Sequence, residues 1–170
     1  ACDGQREGAA DSAAQLVYTS YTPASELFVE FPALVVDQPS RFLAHFTWLE
    51  NHQPVEAGQV DVLLQQNGRT VAGFRVSSPT RAGLFTPVVT AKLAGEFELS
   101  VVLETEAGKD THHLGKVTVF DRVDAVQVKQ PDIEGDISYL KEQQWQSEFA
   151  SEQVELRPLR PSVPGFATVL

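Results

Sequence analysis

QVDVLLQQNGRTVAGFRV, residues 59–76, decides the fold. Two β-rich runs flank Asn67-Gly68, the dipeptide that a two-residue type I′ hairpin turn favours because both central residues need positive φ. Apolar side chains alternate on either side of the turn, as half-buried strands require. The same grammar extends outward. ELFVEF (26–31) alternates Leu27, Val29 and Phe31 on one side and ends at Pro32. In SRFLAHFTWLE (40–50), Phe42, Ala44, Phe46 and Trp48 point one way and Leu43, His45, Thr47 and Leu49 the other, the mark of a central or heavily covered strand. GLFTPVV, GEFELSVVLE and HHLGKVTVF supply three more strands between turn residues. About seven strands at this spacing, with no helical period between them, predict an all-β fold: an immunoglobulin-like antiparallel β-sandwich over residues 19–122.

The chain has 170 residues, enough for one domain and a tail, with 42% hydrophobic and 21% charged residues, inside the ordinary globular range. Thirteen basic residues against 23 acidic give a net charge of -10, which argues against a nucleic-acid partner and against adsorption to anionic lipid. Such an acidic surface attracts cations or simply keeps the protein in solution. No apolar run is long enough to span a bilayer.

The single cysteine, Cys2, lies in ACDGQREGAADSAAQ, which offers no core to bury a thiol. One reading is an accidental cysteine in a disordered end. The other is lipidation: the stretch resembles the end of a bacterial lipoprotein signal, with Ala1 the last signal residue and Cys2 acylated. By the same resemblance Asp3 implies retention at the inner membrane, and residues 1–18 become a flexible tether.

Four histidines, His45, His52, His112 and His113, are the candidates for soft chemistry. Adjacent strand residues face opposite sides, so His112 and His113 cannot ligate one ion together in a regular strand. His45 with one of them, aided by Glu30, makes a candidate divalent metal site suited to zinc. The alternative is a hydrogen-bonded interior His45 with His112 and His113 solvated. There is no phosphate loop, no HExxH and no nucleophile elbow, and the serines read as turn residues away from a base. The chain reads as a non-enzyme.

GDISYLKEQQWQSEF (135–149) breaks the β pattern. Residues 123–135 form a linker, and a short helix follows over 136–146, with Asp136 as N-cap. Ile137, Leu140 and Gln144 share a face, with Tyr139 and Trp145 close by and Lys141 and Glu142 toward water. So short a helix must dock, either on the sandwich or on a region beyond this chain.

ISYLKEQQWQSEF followed by EQVELRPLRPSVPGFATV resembles the segment ahead of the barrel-like domains of periplasmic adaptor subunits (membrane fusion proteins) of resistance-nodulation-division (RND) efflux pumps, in the heavy-metal-efflux branch. ELFVEFPALVVDQPSRFLAHFTWLENHQPVEAGQVDV and RAGLFTPVVTAKLAGEFELSVVL resemble the N-terminal domain that some of these adaptors carry. The most specific part is the junction motif Lys141, Glu142, Gln143, Gln144 and Trp145. The resemblance implies a periplasmic module, lipid-anchored to the inner membrane, that bridges an inner-membrane RND pump and an outer-membrane channel and self-associates in the full-length adaptor. Residues 147–170 would be an extended segment leading into an adaptor body that this chain lacks. The chain has no methionine, so thioether capture of copper or silver is excluded, and any bound ion would be a borderline divalent cation such as zinc or cobalt. The rival from a different class is a freestanding periplasmic metal- or ligand-binding sandwich lipoprotein.

Overall fold

A computed structural model describes residues 14–126 and 140–150. Eleven strands run in chain order: β1 (Gln15–Tyr21), β2 (Ser25–Pro32), β3 (Leu34–Val35), β4 (Ser40–Arg41), β5 (Leu43–Trp48), β6 (Gln59–Gln66), β7 (Arg69–Val76), β8 (Leu84–Phe85), β9 (Val88–Val89), β10 (Gly95–Thr105) and β11 (Gly108–Phe120). A 3-10 turn at Val123–Ala125 ends the sandwich, and the helix α1 (Lys141–Gln144) follows later in the chain. The strands form a four-stranded sheet, β1-β2-β5-β8, facing a five-stranded sheet, β3-β11-β10-β6-β7, with the pair β4-β9 at the side. The chain is an immunoglobulin-like β-sandwich.

The hairpin turns as its sequence dictates: Asn67 and Gly68 have φ of 52° and 73°, and Gln66 pairs with Arg69 across them. Alternation then selects the core. Leu27, Val29, Phe31, Ala44, Phe46 and Phe85 face inward from one sheet, meeting Val60, Val62, Leu64, Leu99, Val101, Leu103, Val117 and Val119 from the other. Phe31 and Phe42 stack with ring centroids 3.9 Å apart, and Phe46 meets Phe85 edge-on at 5.6 Å. Emptying a buried ring position of this kind costs about 3–5 kcal/mol.

The structure differs from the sequence-based expectations in several places. Two expected strands divide, Ser40–Trp48 into β4 and β5 and Leu84–Val89 into β8 and β9, because Pro87 and the crossing between sheets interrupt the ladders. The strand β1 lies partly within the tether expected over residues 1–18; its alternation is diluted by Thr19 and Ser20, but it pairs in full register with β2. The ladder between β3 and β11 is parallel, the other ladders antiparallel. Among the described residues the helix spans Lys141–Gln144, with Leu140 before it extended; Cys2, the expected N-cap Asp136, Ile137 and the extended segment beyond residue 150 lie outside the described residues.

Candidate functional site

Because Leu27, Val29 and Phe31 point inward, the intervening Glu26, Phe28 and Glu30 belong to the outer face of the four-stranded sheet. On β5 the same alternation sends His45 and Thr47 outward, opposite Phe28 and Glu26 respectively. These outer residues are nonetheless covered: Glu26, His45 and Thr47 are only 3%, 7% and 6% exposed. Their cover is the segment 140–150, a strap that crosses this face.

The strap is shaped locally and held by three side chains. Leu140 donates its N–H to the Gln143 side chain at 3.2 Å, and Gln143 and Gln144 donate back to the Leu140 carbonyl at 2.9 and 3.1 Å, which closes a single turn. Lys141 donates to Glu26 at 2.6 Å, and the same carboxylate oxygen accepts from the Tyr21 hydroxyl at 3.0 Å. Glu142 meets His45 Nε2 at 3.2 Å and also accepts from the Arg81 guanidinium. The Trp145 indole N–H donates to Thr47 Oγ1 at 2.8 Å. The Trp145 ring lies on Gly83, whose φ is 76°; a Cβ there would fall 2.2 Å from ring atom Cη2, so glycine is required both by the backbone and by the ring.

Lys141 and Glu142, expected to face water, therefore do the reverse. The Lys141 side chain is 10% exposed, because strand alternation had already placed a carboxylate, an imidazole and a hydroxyl on the face the strap covers. Burial pushes the Glu142 carboxyl up, but its own backbone N–H, His45 and Arg81 outweigh that and hold it below the usual carboxylate range. His45 Nδ1 is sealed with no hydrogen-bond partner among the described residues.

A second polar cluster ties the two sheets together from inside. Asp110 Oδ2 accepts from Thr22 Oγ1 at 2.7 Å and from Ser25 Oγ at 2.6 Å. Ser25 Oγ lies 3.0 Å from His112 Nε2, and His112 Nδ1 lies 3.2 Å from Ser20 Oγ. Since Ser25 donates its hydrogen bond to Asp110, His112 donates from Nε2 to Ser25 Oγ, and in the neutral ring Nδ1 is left as the acceptor beside Ser20 Oγ. His112 is fully buried, not solvated, and burial lowers its pKa, opposed by the charge of Asp110. Ser25 thus stands beside a base, contrary to the expectation that the serines lie in turns. The order is wrong for a nucleophile, however: in a catalytic triad the histidine sits between serine and carboxylate and takes the serine proton. Here the serine is in the middle, donates its hydrogen bond to Asp110, and is 0% exposed.

The proposed metal ligands do not form one set. His45 is on the outer face of the four-stranded sheet, His112 is inside the sandwich, and His113 faces outward from the other sheet, with Nδ1 3.0 Å from Ser100 Oγ. Glu30 shares His45's face but pairs with Leu43, one diagonal step away. Among the described residues no group of three or more His, Cys, Asp or Glu side chains is arranged to hold a metal ion. Both ring nitrogens of His112 are engaged, and His45 Nε2 is taken by Glu142, so these residues do not fit zinc together.

A cleft of about 940 Å³ opens at one end of the sandwich, lined among others by Trp48, Gln53, Glu56, Gln59, Glu104 and Glu106. Its Glu104 is already bound by the Gln59 amide at 2.9 Å and by Lys109 at 3.2 Å, and these two, in that order, lower its pKa.

Sequence reasoning identified Lys141, Glu142, Trp145 and His45 but missed their counterparts Glu26, Thr47, Arg81 and Gly83. The available signal was the two-sided burial pattern of residues 40–50, which demanded a second cover without naming it.

No family model matches this chain, and no curated protein matches it. Among solved structures the chain is similar to the CARDB domain of a Pyrococcus furiosus protein, determined in complex with di-metal ions. The two share 17% identity with a TM-score of 0.33, over 61% of this chain and 100% of that one.

Proposed function

We propose that the protein carrying this chain is a non-enzymatic transport component: the N-terminal module of a self-associating periplasmic adaptor that bridges an inner-membrane RND pump and an outer-membrane channel, anchored to the inner membrane through a lipid on Cys2. One observation carries the reading. The residues that most resemble an adaptor junction, Lys141–Trp145, are the ones that clasp the sandwich through Glu26, His45 and Thr47. A chain that leaves its domain through specific side-chain contacts leaves in a defined direction. A module within a multi-protein conduit needs that direction; a freestanding ligand-binding lipoprotein does not. The separation of His45 and His113 onto two outer faces and of His112 into the interior counts against the rival metal-binding reading.

The test is chemical cross-linking in intact cells, followed by identification of the partner. The expected result is a cross-link to an inner-membrane RND pump, with reduced tolerance to divalent transition metals when the gene is deleted. Absence of any pump or channel cross-link, with unchanged tolerance, would overturn the reading. Labelling with a radioactive fatty acid that is lost in Cys2→Ser supports the anchor; labelling that persists removes Cys2 from it.

A further inference from the structure

The face beneath the strap is unusual for a covered surface because its most buried members are polar: Glu26, His45 and Thr47. The free face of an antiparallel sheet is ordinarily polar and wet. Lifting the strap would therefore return a carboxylate, an imidazole and a hydroxyl to water, with Phe28 the large apolar side chain beside them. The helix α1 adds little that would hold the strap closed, since a four-residue helix has no stability of its own.

Closure also carries penalties that opening removes. His45 Nδ1 is sealed without a hydrogen-bond partner among the described residues, a penalty that access to water would remove. The Lys141–Glu26 pair is desolvated on closing, which offsets much of its attraction. Against these stand the Trp145 ring on Gly83, the Trp145–Thr47 hydrogen bond and the Glu142 contacts with His45 and Arg81.

From these opposing contributions we propose that the strap is a releasable latch: residues 140–150 alternate between the closed position and an open one in which the face of β2 and β5 is bare and the sandwich stays folded. Closed, the latch fixes the direction in which the chain leaves the sandwich; open, it frees that direction. The latch stands independently of the transport reading, whose own cross-linking test can fail without touching it.

Hydrogen exchange of the full chain, read by mass spectrometry, tests it. The strap amides of Gln143, Gln144 and Trp145, bonded to the Leu140 and Lys141 carbonyls, are expected to exchange through local opening at least about a hundredfold faster than the amides of β6 and β10. Lys141→Glu, which sets two carboxylates against each other, should speed strap exchange about tenfold further and leave β6 and β10 unchanged. The charge swap Glu26→Lys with Lys141→Glu should restore the slower rate. Trp145→Ala, which alters no sandwich residue, is the second opening variant should the swap perturb β2. Strap exchange as slow as that of β6 and β10, or strap rates unmoved by both Lys141→Glu and Trp145→Ala, would overturn the latch.

Discussion

Gly83→Ala probes the strap from beneath, and its effect divides into two parts. The first is backbone strain: at φ of 76° an L-residue with a Cβ is disfavoured by about 1–2 kcal/mol. The second is steric. The new methyl would lie 2.2 Å from Trp145 Cη2 and 2.7 Å from two further ring atoms, so the ring must leave. Leaving breaks the indole hydrogen bond to Thr47 and removes a half-buried ring, and truncation of a fully buried one costs about 3–5 kcal/mol. Half of that, about 2 kcal/mol, is the expected loss of docking. Gly83→Ala alone should then destabilise by about 3–4 kcal/mol and Trp145→Ala alone by about 2 kcal/mol. The double variant should also fall at about 3–4 kcal/mol, because once the ring is gone only the strain remains. Urea unfolding of the four proteins gives the coupling, expected at about 2 kcal/mol. Additivity to within about 0.5 kcal/mol would refute the placement of Trp145 on Gly83.

Other outcomes follow from the charged and buried groups. His112 is held neutral by burial, its folded pKa below the ordinary 6.5, so its contribution is fully present above that value and is lost as pH falls below it. Urea midpoints should drop between pH 7 and pH 5 more steeply in the parent than in His112→Asn, and equal slopes would contradict the burial account. Glu142 has its folded pKa below the ordinary 4.5, so strap docking should weaken as pH falls below that value, seen as faster proteolysis of residues 140–150; resistance maintained at pH 3.5 would remove Glu142 from the clasp. Zinc should give no saturable rise in Tm, because His45 and His113 lie on opposite outer faces and His112 in the interior; a saturable rise abolished by His45→Ala would show that they converge after all.

Local chemistry made much of the sandwich legible. Asn67-Gly68 turned as its φ requirements dictate, and the period-2 pattern of Leu27-Val29-Phe31 and Phe42-Ala44-Phe46 named core residues correctly. The strand β1 was missed because an edge strand buries less of itself: of its residues, Leu16 and Tyr18 pack against the core, while Val17 remains 55% exposed. Of the face expected to dock, Ile137, Leu140 and Gln144, the described Leu140 is 58% exposed, while Lys141 and Trp145 make the contacts.

The sequence by itself determined the all-β class, the hairpin, the inward residues, and the need for a second cover over residues 40–50. Each of these rests on periodicity or turn geometry, which act between residues close in the chain. Only the tertiary structure decided that the cover is residues 140–150, that Lys141 answers Glu26 and Trp145 answers Thr47 and Gly83, and that the histidines stand apart. Those pairings join positions roughly sixty to more than a hundred residues apart, and no local rule of alternation or propensity carries information across that distance.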